Sequence, residues 1–328
     1  MDTADLSRAT GPMPDVAAPR PAGPVALAVG LGAVYLLWGS TYLGNRVALE
    51  SLPPMLCTSA RFLAAALLLF AVALLRRGPV GLLLPRREWR GVGASGLLMV
   101  GAGSALLTLG QQYVPTALTS LLVAGMPLWV LVIRLVAGPR PSSRAALGVL
   151  GGVLGLVLLF AAPAGRWHLG GMLLVVLSTM VWALGSTLAQ RLSMPADHLV
   201  GTGWQMLVGG LAVAVASVVS GELGRFHPAE VTGRSWLAWT YLMLVCTVVG
   251  FSVYTWLLRN APLQLASTYA YVNPVVAVLL GMMVLDERLT GRQALAGLVV
   301  LASVALVIVV ERPRQVEGLP AGTPVAPT

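Results

Sequence analysis

The sequence predicts an all-α integral membrane protein of about ten transmembrane helices, arranged as two inverted five-helix repeats. Three observations carry this reading: the composition, the spacing of the apolar runs, and an internal duplication. Hydrophobic residues make up 57% of the 328 and charged residues 10%, with a mean hydropathy of +0.84. So few charges cannot furnish a water-facing surface for a chain of this size, so the solvent is lipid. Helices of roughly 20 residues cross a hydrocarbon core of about 30 Å, and the chain has room for about eight to eleven of them with short loops.

The apolar runs fall at about 25–44, 55–75, 90–111, 114–136, 143–162, 170–190, 198–220, 235–258, 262–285 and 291–310. Each matches one span in length and apolar character. The third and fourth runs touch, and Pro115 marks the break. A proline costs little in the first turn of a helix, where its missing N–H has no intrahelical partner, so Pro115 and Pro262 are read as the starts of the fourth and ninth spans. Residues 1–24 hold Pro12, Pro14, Pro19, Pro21 and Pro24 and are predicted to be a disordered tail, as are residues 311–328. The first run lacks a basic segment before it and is read as a retained span, not a cleaved signal peptide.

All 21 basic residues are arginine, and they serve as a topology signal. With a cytoplasmic N-terminus, fourteen of the 21 fall in inside segments and six in outside segments, leaving Arg61 within a span. Five of the inside set lie between Arg76 and Arg90. The bias predicts both termini in the cytoplasm. The net charge of +9 forms no exposed stripe with interleaved aromatics, so no nucleic-acid partner is expected.

The duplication is visible at residue level. Trp38 opens WGSTYLGNRVALESLPPMLCTSARF, and 144 positions later Trp182 opens WALGSTLAQRLSMPADHLVGTGWQM; a long polar side chain follows each tryptophan by 23 residues, as Arg61 and Gln205. Pro115 and Pro127 are matched by Pro262 and Pro274 at an offset of 147, which also carries Ser120 onto Ser267 and Gly103 onto Gly250. Five spans per copy is an odd number, so the second copy starts on the opposite side of the membrane and lies inverted. Secondary transporters commonly use such repeats, with the substrate site near the midplane between them.

The segments WGSTYLGNRVALESLPPMLCTSARFLAAALLL, TSLLVAGMPLWVLV and TYAYVNPVVAVLLGMMVLDERLTGRQALAGLVVL resemble the two EamA modules of the drug/metabolite transporter superfamily, over about residues 25–310. The resemblance implies repeats at 25–162 and 170–310, a central cavity between them, residence in a bacterial inner membrane, and export of small metabolites, amino acids or amphiphilic compounds. One departure is that the first half reads RLVAGPRPS where many modules carry a Gly-Glu pair, whereas the second half keeps Asp286-Glu287. The alternative function is a membrane-embedded enzyme or an assembly subunit without transport.

Polar side chains within spans either find partners in the bundle or line a wet cavity. Arg61 heads the candidates, as a cavity-lining or anchoring cation or as a snorkelling one. Trp38, Ser40 and Thr41 form a polar-aromatic cluster, repeated in part by Trp182, Ser186 and Thr187; a stacking wall for substrate and an interfacial anchor with helix back-bonding are both open readings. Gln111 and Gln112 lie at the junction of the third and fourth spans. Tyr254, Tyr271 and Asn273 lie in the eighth and ninth, the last two beside Pro274, where a broken helix frees a carbonyl. Gly148, Gly151, Gly152 and Gly155 permit close helix approach; packing within one chain accounts for them, so a monomer is expected over a homodimer.

No cofactor or metal is expected. His168, His198 and His227 are far apart and lack ligand partners, Cys57 and Cys246 read as buried thiols, and no phosphate loop follows a strand. Every one of the twelve acids falls in a tail, a loop or a span end. A midplane carboxylate relay is therefore not expected, which favours facilitated diffusion or exchange over coupling through Glu50, Asp286 or Glu287.

Overall fold

A computed structural model describes residues 23–137, 143–161, 169–261, 265 and 268–310. The two predicted disordered tails and Pro262 lie outside the described residues, apart from the helix start at Pro24. The described residues form ten helical spans. α1 comprises Pro24–Gly39 and Thr41–Ala48, α2 is Pro54–Arg77, and α3 runs through Trp89–Ser95, Gly96–Gly103 and Ser104–Gln111. α4 comprises Thr116–Ala124 and Met126–Ala137, α5 is Ser143–Ala161, α6 is Leu169–Arg191 and α7 is His198–Val219. α8 runs through Gly233–Thr240, Tyr241–Val249 and Gly250–Asn260, α9 is Tyr269–Leu285, and α10 is Gly291–Val310. Seven of these are long and apolar enough to cross a bilayer outright; α5, α9 and α10 contribute shorter apolar stretches.

Local chemistry sets the ends. Pro24 and Pro54 open α1 and α2 at the first helical turn, and Pro115 caps α4. The Asp197 carboxylate accepts from the Leu199 N–H at 2.9 Å to cap α7. Thr290 and Gln293 exchange backbone-to-side-chain bonds of 2.8 and 3.3 Å, a capping box that opens α10. α2 stops at Gly78, whose φ of +68° suits a residue without a Cβ. Outward-facing Leu67, Leu75, Leu150, Leu154 and Leu298 meet lipid, and the inward faces bury Leu118, Leu122, Leu128, Leu159 and Val300.

The pairs related by the duplication pack on each other, and they do so antiparallel. On α7, Gly203 backs onto Phe70 of α2 and Gly210 onto Leu63, so residue numbers rise on one helix as they fall on the other. Gly148 and Gly155 of α5 back onto Val307 and Val300 of α10 in the same sense. Between α4 and α9, the Ser120 hydroxyl donates to the Pro274 carbonyl at 3.5 Å, and further along Ala117 lies beside Gly281. The remaining contacts also come in matched sets: α1 packs on α8 and α9, and α6 packs on α3 and α4. The molecule is an inverted repeat with a pseudo-two-fold axis in the membrane plane.

Two details match across that axis. The central part of α3, Gly96–Gly103, and that of α8, Tyr241–Val249, are both π-helical, at positions related by the 147-residue offset. Each π segment receives a tryptophan from the other half, since Gly250 lies against Trp38 and Gly103 against Trp182. The glycine stripe of α5 is used inside the chain: Gly148, Gly151 and Gly155 face α10, and Gly152 faces Leu128 of α4. The face that carries Pro24 and Val310 is called here the near face. It holds the ion pair of Arg77 with Asp197 at 2.9 Å, and the far face holds that of Arg234 with Glu50 at 3.6 Å.

Candidate solute-binding site

A polar network that spans three helices begins at Arg61 on α2. Its side chain is only 7% exposed, so snorkelling to the surface is not what it does. One terminal nitrogen, Nη1, donates to Asn45 Oδ1 at 2.9 Å, and Asn45 Nδ2 donates to Gln111 Oε1 at 3.0 Å. Gln111, fully buried, passes its own amide hydrogen to the Tyr42 carbonyl at 3.4 Å. α1, α2 and α3 are thereby joined by side chains whose acceptors are all occupied. Alongside, the Thr58 hydroxyl donates to Thr108 at 2.9 Å.

The Arg61 Nε–H has no partner, and neither does the buried Oδ1 of Asn273 on α9. Such atoms cost free energy unless something completes them. Cys57, one turn before Arg61 on α2, and Cys246 are buried free thiols of one packed cluster, and the Phe62 ring lies 4.5 Å from the central carbon of the guanidinium.

Ser40 and Thr41 occupy the interruption in α1, and both hydroxyls bond back to the Leu37 carbonyl, at 3.0 and 3.1 Å. Ser40 also bonds the Tyr241 hydroxyl at 2.7 Å. Trp38 sits inside the bundle, not at an interface: its indole N–H donates to the Cys246 carbonyl at 3.2 Å. Its ring meets Tyr254 and Tyr269 at centroid distances of 4.9 Å and Phe251 at 5.5 Å. The Tyr35 and Thr268 hydroxyls are bonded beside this aromatic group. Tyr271 is half-buried two residues before Asn273.

The structure therefore brings Trp38, Ser40 and Tyr254 together, bonds Trp38 and Ser40 to Cys246 and Tyr241, and joins Arg61 to Gln111 through Asn45. It keeps the second set apart. Trp182 faces Gly103 of α3 on the other side of the axis, and Ser186 bonds to its own helix at Ala183. Gln205 donates to the Ser95 hydroxyl at 2.7 Å. Gln112 contributes its main chain: Arg46 Nη1 donates to the carbonyls of Gln111 and Gln112 at 3.0 and 3.1 Å.

Asn45, Arg46 and Tyr241 were not among the sequence candidates. The apolar run ends at residue 44, which leaves Asn45 and Arg46 as loop residues, whereas the helix continues to Ala48 and buries Asn45 to 4% exposure. A signal was present: Thr41, Gly44, Asn45 and Ala48 recur at helical spacing, which marks a continued inward face. On the far face a cleft of about 420 Å³ is lined by Arg46, Glu50, Pro115, Leu285 and Glu287, and Arg46 separates it from the Gln111 network. A larger groove of about 690 Å³ runs along α6 past Gly170, Leu174 and Leu177 and is apolar apart from Tyr113, whereas the smaller cleft is lined by Arg46, which bonds the Gln111 carbonyl.

Two acids at the far face cap helices. Glu222 accepts from the N–H groups of Met55 and Leu56 at the start of α2, at 3.3 and 2.8 Å. Glu287 accepts from Thr116 and Ala117 at the start of α4, at 2.7 and 2.8 Å.

Ten helices in two inverted halves, with a buried polar network at the junction of α1, α2 and α3, define a multi-pass membrane transporter. The chain belongs to the EamA-like transporter family, whose model matches residues 26–161 and 169–309, one copy per repeat. It is 34% identical to the uncharacterized inner membrane transporter YedA of Escherichia coli strain K12 over 84% of this chain and 89% of that one. Protein PecM of Dickeya dadantii is 30% identical over 83% and 88%. The uncharacterized transporter YoaV of Bacillus subtilis is 25% identical over 81% and 91%. A protein of known crystal structure superposes with a TM-score of 0.60 over 89% of this chain and 100% of its own, at 20% identity, a likeness of fold.

Proposed function

We propose that this transporter is a secondary carrier of a bacterial inner membrane, with both termini cytoplasmic, that exports small metabolites, amino acids or amphiphilic compounds by alternating access. The observation that carries the reading is the polar network at the junction of α1, α2 and α3, which carries a buried arginine nitrogen that no protein group completes. Polar groups in a bilayer interior are costly, and a site for a polar solute accounts for them. The Arg46 bonds to two carbonyls lie between the far-face cleft and this network, as a contact that must open on one side of an alternating cycle. Glu287 and Glu222 are engaged by backbone donors and Glu50 by Arg234, which supports facilitated movement or exchange over a proton relay through them. The use of the α5 glycine stripe inside the chain supports a monomer.

The test is counterflow in proteoliposomes. Vesicles preloaded with one unlabelled solute from a panel of amino acids, organic acids and cationic dyes should take up the labelled form transiently, and protein-free vesicles should not. Failure of the whole panel would remove the carrier reading.

A further inference from the structure

Among the residues whose burial is described, Arg61 is the one buried cation. A guanidinium keeps its proton in proteins, so this is a full positive charge within the bilayer span. The described acids give it no counter-ion. Glu222 and Glu287 bond helix N-termini, Asp197 pairs with Arg77, Glu50 with Arg234 and Glu88 with Arg87. The neutral acceptor that Arg61 does engage, Asn45 Oδ1, takes the Nη1 bond, and Asn45 is held in that orientation because its amide nitrogen donates to Gln111. What the network leaves over is a donor, the Arg61 Nε–H. A donor with one uncompensated positive charge calls for an acceptor with one negative charge.

We propose that Arg61 is the anchor for a single carboxylate on the transported solute. The inference rests on the carrier reading above and adds the class of solute: a small organic monoanion, or a zwitterion that presents its carboxylate to Arg61. One buried charge sets the count, because a monocarboxylate neutralises it whereas a phosphate dianion would leave an excess negative charge in the same low-dielectric site. The planar guanidinium also matches the fork of a carboxylate. The body of the solute has an apolar neighbourhood to enter. Ser40 lies 4.0 Å from Cys246, which shares a buried cluster with Cys57, one turn from Arg61 on α2, and Trp38, two residues before Ser40, leads into the ring group of Phe251, Tyr254 and Tyr269.

The probes are phenylacetate, phenylacetamide and phenethylammonium, close in size and different in charge, added to the purified full-length protein in detergent at constant ionic strength. Phenylacetate should raise the thermal unfolding midpoint saturably, by about 3 °C or more well above its dissociation constant, and the other two should not. Arg61→Gln should abolish the shift. Because that variant can fail to fold, Asn45→Asp supplies the second arm: it sets a carboxylate 2.9 Å from Arg61 Nη1, and should raise the midpoint without ligand while removing the response to phenylacetate. Equal shifts from all three probes, or a phenylacetate shift that persists in both variants, would overturn the proposal. Counterflow separates the two readings. Movement of neutral or cationic solutes that carboxylates neither inhibit nor accompany would sink the carboxylate anchor and keep the carrier. A charge-specific shift without counterflow of any solute would do the reverse.

Discussion

Asn45 accepts from Arg61 with one end of its amide and donates to Gln111 with the other, so its orientation is fixed by both partners at once. Glu287 is fixed in a similar way, each carboxylate oxygen taking one backbone N–H at the start of α4. Replacing Glu287 by Ala leaves two donors without their charged acceptor and should lower stability by about 1–3 kcal/mol, seen as an earlier thermal midpoint in detergent. If this carboxylate is a cap and not a proton carrier, counterflow below that midpoint should continue at near wild-type rates, and its abolition would refute the capping role. At this scale the sequence is readable where a residue violates its surroundings, as an arginine within an apolar run does. Asn45 was not readable, because its meaning depends on whether the helix continues past the hydropathy boundary. Tyr241 was not readable either, since its pairing with Ser40 spans 201 residues of chain.

The spans themselves were legible because each needs a long apolar run, and nine of the predicted stretches coincide with helices whose ends shift by a few residues. The ninth differs in that its described helix starts at Tyr269 and runs on through Pro274, which sits early enough to cost it one backbone bond without ending it. The π segments were invisible, since an i→i+5 pattern leaves no mark on hydropathy. They lie at the centres of α3 and α8, and π segments are frequently found at functional sites. The close approach of α3 and α7 is strict there. A Cβ on Gly209 would fall 2.5 Å from the Gly96 carbonyl and 2.7 Å from the Gly101 nitrogen, backbone atoms that cannot rotate away. Gly209→Ala should therefore yield little monodisperse protein in size-exclusion chromatography. By contrast Gly151→Ala meets the Ser303 hydroxyl, which can turn aside, and should elute as the wild type does.

For the whole molecule, the duplication read from matched prolines and tryptophans corresponds to the antiparallel packing of α2 on α7, α4 on α9 and α5 on α10. The orientation proposed for it places the Arg76–Arg90 loop in the cytoplasm. An alkaline-phosphatase fusion after residue 85 should be inactive, and a fluorescent fusion at the C-terminus should glow; the opposite pair of results would invert the assignment. The contacts of Leu63 with Gly210 and Phe70 with Gly203 put the axis near residues 64 and 65 of α2, so Arg61 and Gln205 lie about 5 Å to either side of it. A symmetric dimer of one ancestral half would have faced a constraint here, because every feature of an isologous surface appears twice. Its arginine would meet a second arginine roughly 10 Å away, a repulsion of about 2 kcal/mol at an effective dielectric constant near 20, with two buried charges to compensate. Joining the halves in one polypeptide lets the copies diverge, and the chain retains the cation on one side and an amide on the other.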